Sequence, residues 1–161
     1  MLDRLMTYGR NILLLCMIFL LSSLATNFIS PFLPLYITSL KASVTELGMV
    51  MAISEAVTAL ILIMSGMLSD KYGRKRIHIL GTFLSIFPPL LYTFASHWLD
   101  LIPWVILSGA ALGLYMPIRW SIPADVSETH NLAMAYSWTN VAWLTGSTVG
   151  PLLGGLIADA Y

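Results

Sequence analysis

Charge is what this sequence has least of. Eight basic and eight acidic residues are all that 161 positions carry, 10% of the chain, where a soluble domain carries about 25%. That excludes an ordinary water-facing surface. The equal counts also exclude an overall field that would draw nucleic acid or an acidic partner. Cysteine is almost absent: Cys16 stands alone, so no intrachain disulfide can form. The three histidines, His78, His97 and His130, are scattered and give no metal-ligand spacing. No nucleophile elbow, phosphate loop or catalytic pair of acids is legible, and intramembrane proteolysis would need a Ser–His or paired-Asp arrangement at membrane depth. The sequence reads as a non-enzyme, with no cofactor and no metal.

What fills the chain instead is apolar side chains, 58% of all residues, in runs too long for strands or ordinary core helices. About 20 such residues span a bilayer as a helix, and the runs predict an all-α integral membrane protein with five transmembrane helices. Their approximate bounds are 11–37, 46–68, 77–96, 101–118 and 132–158. Arg4 and Arg10 before the first run raise the question of a secretory signal, but the run continues to about Tyr36 and no small-x-small cleavage site follows a short core. It reads as a retained first helix. Pro31 and Pro34 should loosen its far end, and Pro88-Pro89 should kink the third helix. Ser43-Val-Thr-Glu46 is a helix-start pattern, and His97, Trp98 and Asp100 make the turn before the fourth helix.

Orientation follows from the basic residues near the helix ends. Arg4, Arg10, Lys71, Arg74, Lys75, Arg76 and Arg119 fall on one side, and only Lys41 on the other. This places the N-terminus in the cytoplasm and the protein, as a multi-pass chain, in the cell membrane, with the lipid bilayer as its first partner. On the same count Arg119, at the inner end of the fourth helix, reads as a topology anchor rather than a relocated coupling residue, and Arg119–Asn131 as a polar connector holding Asp125, Glu128 and His130. All loops are short, so no separate soluble domain is expected.

Half of the basic residues crowd into one turn. Gly66-Met-Leu-Ser-Asp70-Lys71-Tyr-Gly73-Arg74-Lys75-Arg76 stands between the second and third apolar runs. Topology alone accounts for the cations, but not for Asp70 or for the two framing glycines. The stretch matches G-x-x-x-D-(R/K)-x-G-(R/K)-(R/K) at every fixed position. It resembles the loop between helices 2 and 3 of the major facilitator superfamily, a large class of secondary transporters. The resemblance implies that Asp70, Lys71, Arg74 and Lys75 belong to a cytoplasmic gate. The acid would sit near a helix N-terminus of the other half of such a protein, with Gly66 and Gly73 permitting close approach.

The fifth run carries a second pattern, Gly146-Ser-Thr-Val-Gly150-Pro151-Leu-Leu-Gly154-Gly155. Gly146, Gly150 and Gly154 recur every four residues and line one helical face, where a second helix can pack closely in lipid. The pattern is similar to one on helix 5 of the same superfamily, clearest in drug:proton antiporters. A plain close-packed helix pair is the simpler reading, and both need a partner helix. One departure separates the chain from the antiporter branches: Val105 stands where they place an arginine, and Ser108 where glutamine is common. The connector departs as well, with His130-Asn131 after Asp125 and Glu128 where a basic residue is usual.

Glu55 is the sharpest single residue, because an ionisable group inside a membrane helix is costly. It lies ~14 Å in from the outer start of its helix, and Asn27 ~15 Å in from the outer end of the first, at 1.5 Å per residue. The two are expected to share a level, with Glu55 a protonatable coupling or substrate-binding acid and Asn27 its polar neighbour. The other reading of Glu55 is a neutral acid hydrogen-bonded within the bundle.

In the superfamily twelve helices form two six-helix halves with substrate between them. The resemblance implies that this chain is the partial N-terminal six-helix half, helices 1–5, of a transporter of a small-molecule solute by alternating access, with a proton as first candidate for coupling ion. The missing C-terminal half, or a partner membrane protein, would complete it. The alternative is a truncated, non-transporting membrane fragment that associates with other membrane helices through its glycine face.

Overall fold

The computed structural model describes residues 2–127 and 131–160, and their regular structure is helical throughout. Seven α-helices follow one another: α1 (Leu2–Ile29), α2 (Leu33–Ser39), α3 (Val44–Tyr72), α4 (Arg74–Leu84), α5 (Phe87–Tyr92), α6 (Ile102–Val126) and α7 (Leu132–Ala160). Short 3-10 turns occupy Ser30–Phe32 and Trp98–Leu101. Four stretches are long and apolar enough to cross a membrane: Arg10–Ser39, Val44–Tyr72, Trp98–Val126 and Leu132–Asp159. The chain divides into two compact units, Met1–Leu33 with Ile122–Tyr161, and Pro34–Ser121.

The first unit is built on α1 and α7. α1 gives way to the 3-10 turn where Pro31 enters, since a proline has no N–H for the helical ladder and crowds the preceding turn. Leu13, Leu14, Met17, Ile18 and Leu21 on α1 are exposed. In a spanning helix such a face is solvated by lipid rather than by water.

In the second unit α2 is followed by a turn in which Lys41 takes φ 65°. A capping box then starts α3. The backbone N–H of Ser43 donates to Glu46 Oε2 at 2.7 Å, and that of Glu46 donates to Ser43 Oγ at 3.3 Å. Two of the N-terminal donors that a helix cannot satisfy internally are thereby satisfied. A comparable arrangement precedes α6. Asp100 Oδ2 accepts from the N–H groups of Ser96 (3.1 Å) and His97 (2.9 Å), and His97 Nδ1 accepts from that of Leu99 (3.3 Å). Tyr36 donates its hydroxyl hydrogen to the Tyr92 carbonyl at 2.7 Å, fastening the end of α2 to the end of α5.

Several expected boundaries differ from the structure: the first helix, expected over 11–37, is α1 from Leu2 and a separate α2, and the second, expected to end at 68, runs to Tyr72. The third helix, expected over 77–96, is α4 and α5, interrupted at Ser85–Ile86 and finished at Tyr92. Pro88 and Pro89 cannot donate to the carbonyls of Leu84 and Ser85, so the ladder lapses one turn ahead of them. There the N–H of Ser85 reaches back to Gly81 (3.1 Å) and that of Ile86 to Phe83 (3.2 Å). The fourth helix, expected to end at 118, runs on to Val126. Polarity alone is no stop signal, and nothing between Arg119 and Val126 forces a positive φ. Glu128 and His130 of the expected connector lie outside the described residues.

Candidate functional site

The glycine face of α7 meets α1 so closely that side chains would not fit. A Cβ on Gly146 would lie 2.6 Å from Ser23 Cβ and 2.7 Å from the Leu20 carbonyl oxygen. On Gly150 it would come within 3.1 Å of Asn27 Cβ and of the Leu24 carbonyl, and on Gly154 it would run into the Phe28 carbonyl. Gly155 faces the same way less tightly, 3.7 Å from the Phe32 ring. Pro151 is inside the helix. Backbones this close gain dispersion contacts that lipid tails cannot replace. Buried Ser23 closes the seam by donating from Oγ to the Trp143 carbonyl at 2.6 Å. Asn27, one turn further along, directs its amide nitrogen to the Ser23 carbonyl (2.9 Å) and Oγ (3.2 Å). Its donor side therefore belongs to the α1–α7 seam.

The second unit holds a seam of the same kind that sequence reading left without a partner. Gly109 and Gly113 lie four residues apart on α6. A Cβ on Gly109 would stand 2.5 Å from the Ser54 carbonyl, and one on Gly113 2.7 Å from that of Thr58. Thr58 is buried and donates from Oγ1, within reach of both the Ser54 carbonyl (2.8 Å) and the Gly109 carbonyl of α6 (3.1 Å). The face of α3 bearing Ser54, Thr58 and Ile61 is thus committed to α6.

Glu55 belongs to a different face. Gly48, Ala52, Glu55, Ala59, Gly66 and Asp70 follow at helical spacing and all are exposed. A Cβ on Gly48 or on Gly66 would meet nothing within 4 Å. Glu55 makes no hydrogen bond or ion pair among the described residues.

Gly73 alone separates α3 from α4. Its φ of 91° and ψ of 135° lie where side-chain-bearing residues are strained. Its N–H donates to the Ser69 carbonyl at 2.9 Å, which closes α3, while Arg74, Lys75 and Arg76 form the first turn of α4. Asp70, Lys71, Tyr72, Arg74, Lys75 and Arg76 are all exposed. Lys71 Nζ lies 5.3 Å from the centre of the Tyr72 ring.

Arg119 corrects the sequence reading. Expected as an anchor at the membrane boundary, it is only 7% exposed, with its guanidinium 4.6 Å from the centre of the half-exposed Trp120 ring. Its helix continues past it for two further turns, so a position expected at the inner helix end and the start of the connector lies inside α6. Val105 is buried as well, 2% exposed. Gly81 of α4 approaches Tyr115 of α6, where an added Cβ would be 3.0 Å from the Tyr115 backbone nitrogen. The His78 ring stands edge-on to Tyr115, with 6.1 Å between centroids.

These features (the single-glycine charged turn, the glycine-lined helix pairs and the buried polar contacts between spans) meet a match that covers nearly the whole chain. Residues 15–161 match the Major Facilitator Superfamily. The chain belongs to that family. It is 28% identical over 152 residues to an uncharacterized MFS-type transporter of Methanocaldococcus jannaschii, covering 94% of this chain and 39% of that protein. It is 26% identical over 136 residues to the quinolone resistance protein NorA of Staphylococcus aureus, covering 84% of this chain and 35% of NorA. The chain therefore spans less than two fifths of the length of these relatives. It is a multi-pass, all-helical membrane protein of a transporter family, not of an enzyme family.

Proposed function

We propose that the chain forms the first five membrane segments of a secondary active transporter of a small organic solute, working by alternating access with proton coupling. It would act together with further membrane helices, in one chain or in a partner, since its relatives are more than twice as long. Glu55 carries the reading. A carboxyl group exposed toward lipid costs a few kcal/mol, whereas one facing a water-filled cavity or an incoming helix does not. The α3 face around it is built of Gly48, Ala52, Ala59 and Gly66, with open space beside both glycines. Glu55 is accordingly the coupling or substrate-binding acid. Asn27 is proposed as a polar substrate contact, supported by its hydrogen bonds to Ser23, and Gly146, Gly150, Pro151, Gly154 and Gly155 as the residues that keep the α1–α7 seam closed.

Asp70, Lys71, Arg74 and Lys75 act as the cytoplasmic gate, with Gly66 and Gly73 admitting a helix of the other half. The N-terminus then lies in the cytoplasm of a protein in the cell membrane. Proteoliposomes carrying an imposed pH gradient test this, with a quinolone as first substrate because of the likeness to NorA. Gradient-driven uptake that disappears in Glu55→Gln is the expected result. Full proton-coupled transport by Glu55→Gln would overturn the assignment.

A further inference from the structure

We propose that the α3–α4 turn is a binding site for the phosphate headgroups of anionic phospholipids, held by Lys71, Lys75 and Arg76. The gate reading gives these cations nothing to bind within the described residues. The Lys75 and Arg76 side chains are exposed and make no hydrogen bond or ion pair there, and the Lys71 ammonium rests only on the Tyr72 ring. Arg74, by contrast, is already engaged.

The local charge balance is one-sided. Four cations fall within six residues, and Asp70 is the only acid in the turn. The first turn of α4 holds no acidic residue and no side-chain cap, although the positive end of a helix disfavours cations. Because Gly73 is the entire connection, the cations cannot retreat along a loop. They stand at the end of α3, which is long and apolar enough to cross a membrane, and at the start of α4, where a spanning helix meets the headgroups. Successive helical positions are 100° apart, so Lys75 and Arg76 fan out from α4 and do not share one line. That arrangement suits several mobile headgroups around the helix end better than one enclosed ligand. Exposed Tyr72 supplies an amphipathic ring at the same level. Anionic leaflets attract such juxtamembrane clusters, and each cation contributes a binding factor of about 5.

The test is native mass spectrometry of the purified protein released from phosphatidylcholine bilayers with and without phosphatidylglycerol. Wild type should retain phosphatidylglycerol in preference to phosphatidylcholine. In Lys71→Gln/Lys75→Gln/Arg76→Gln that preference should fall by about two orders of magnitude, while Lys71→Arg/Lys75→Arg should keep it. Equal retention of the two lipids by wild type, or an unchanged preference in the triple variant, overturns the proposal. Should the triple variant misfold, the wild-type salt dependence decides, because retention at these exposed cations must weaken as salt screens them. Inorganic phosphate added to the bilayers should displace no lipid. Displacement would assign the cations to a free anion. Lipid retention is read without transport, so loss of the Glu55 assignment leaves this result unaffected.

Discussion

Ser23 and Trp143, far apart in sequence, are joined by a 2.6 Å hydrogen bond from the serine hydroxyl to the tryptophan carbonyl. The bond lies within one turn of the place where Gly146 lets α7 touch α1. It fixes register along a seam whose glycines would otherwise permit sliding. Ser23→Ala should lower stability by about 1 kcal/mol, the net value of one such bond, and Asn27, which also donates to the Ser23 oxygen, should lose order with it. Thermal unfolding in mild detergent measures the first effect and amide exchange around Asn27 the second.

The two glycine seams and the open glycines make opposite predictions. Gly146→Ala and Gly109→Ala must displace backbone, with clashes of 2.6 Å and 2.5 Å, and should each cost about 1–3 kcal/mol. Gly48→Ala meets nothing within 4 Å and should gain up to about 1 kcal/mol from helix propensity. Midpoints of unfolding for these variants, measured side by side, check the ordering.

Gly66→Ala separates folding from function. Open space beside Gly66 predicts unchanged or slightly raised stability, again by up to about 1 kcal/mol. If a further helix passes there during gating, transport should nevertheless fall at least tenfold in proteoliposomes. Wild-type transport in Gly66→Ala would remove this glycine from the gate.

Gly73→Ala tests the turn itself. At φ 91° and ψ 135° a methyl group should cost about 1–3 kcal/mol. Protease sensitivity between Tyr72 and Arg74 should rise with it, and limited trypsin digestion at Lys71, Arg74, Lys75 and Arg76 reads that directly.

What sequence could show here was whatever chemistry is local. Ser43 and Glu46 announce a capping box because both partners lie within one turn, and both bonds are present. The lapse between α4 and α5 follows from the missing donors of Pro88 and Pro89, although its exact place and the early finish at Tyr92 do not. Glycines four apart announce a flat face, yet not what covers it: Gly150 and Gly113 look alike in sequence, and only the fold gives one to α1 and the other to α3. Arg119 was misplaced for a related reason. A cation after a long apolar run reads as a boundary, yet the helix continues beyond it and its side chain is buried. Glu55 was legible as a costly residue, but the small-residue face around it becomes evident only once Ser54 and Thr58, on the neighbouring face, are seen committed to α6.

The single-residue link at Gly73 bears on how motion can pass through the second unit. With one residue between them, α3 and α4 have no slack, and a displacement at the end of α3 arrives undiminished at the start of α4. The longer links of this unit are at Leu40–Ser43 and across Thr93–His97, between α5 and the turn before α6. Both lie at the opposite end of α3 and α4 from Gly73. The charged turn is then a stiff crank, and the longer links of this unit are gathered at the far ends of the helices it joins.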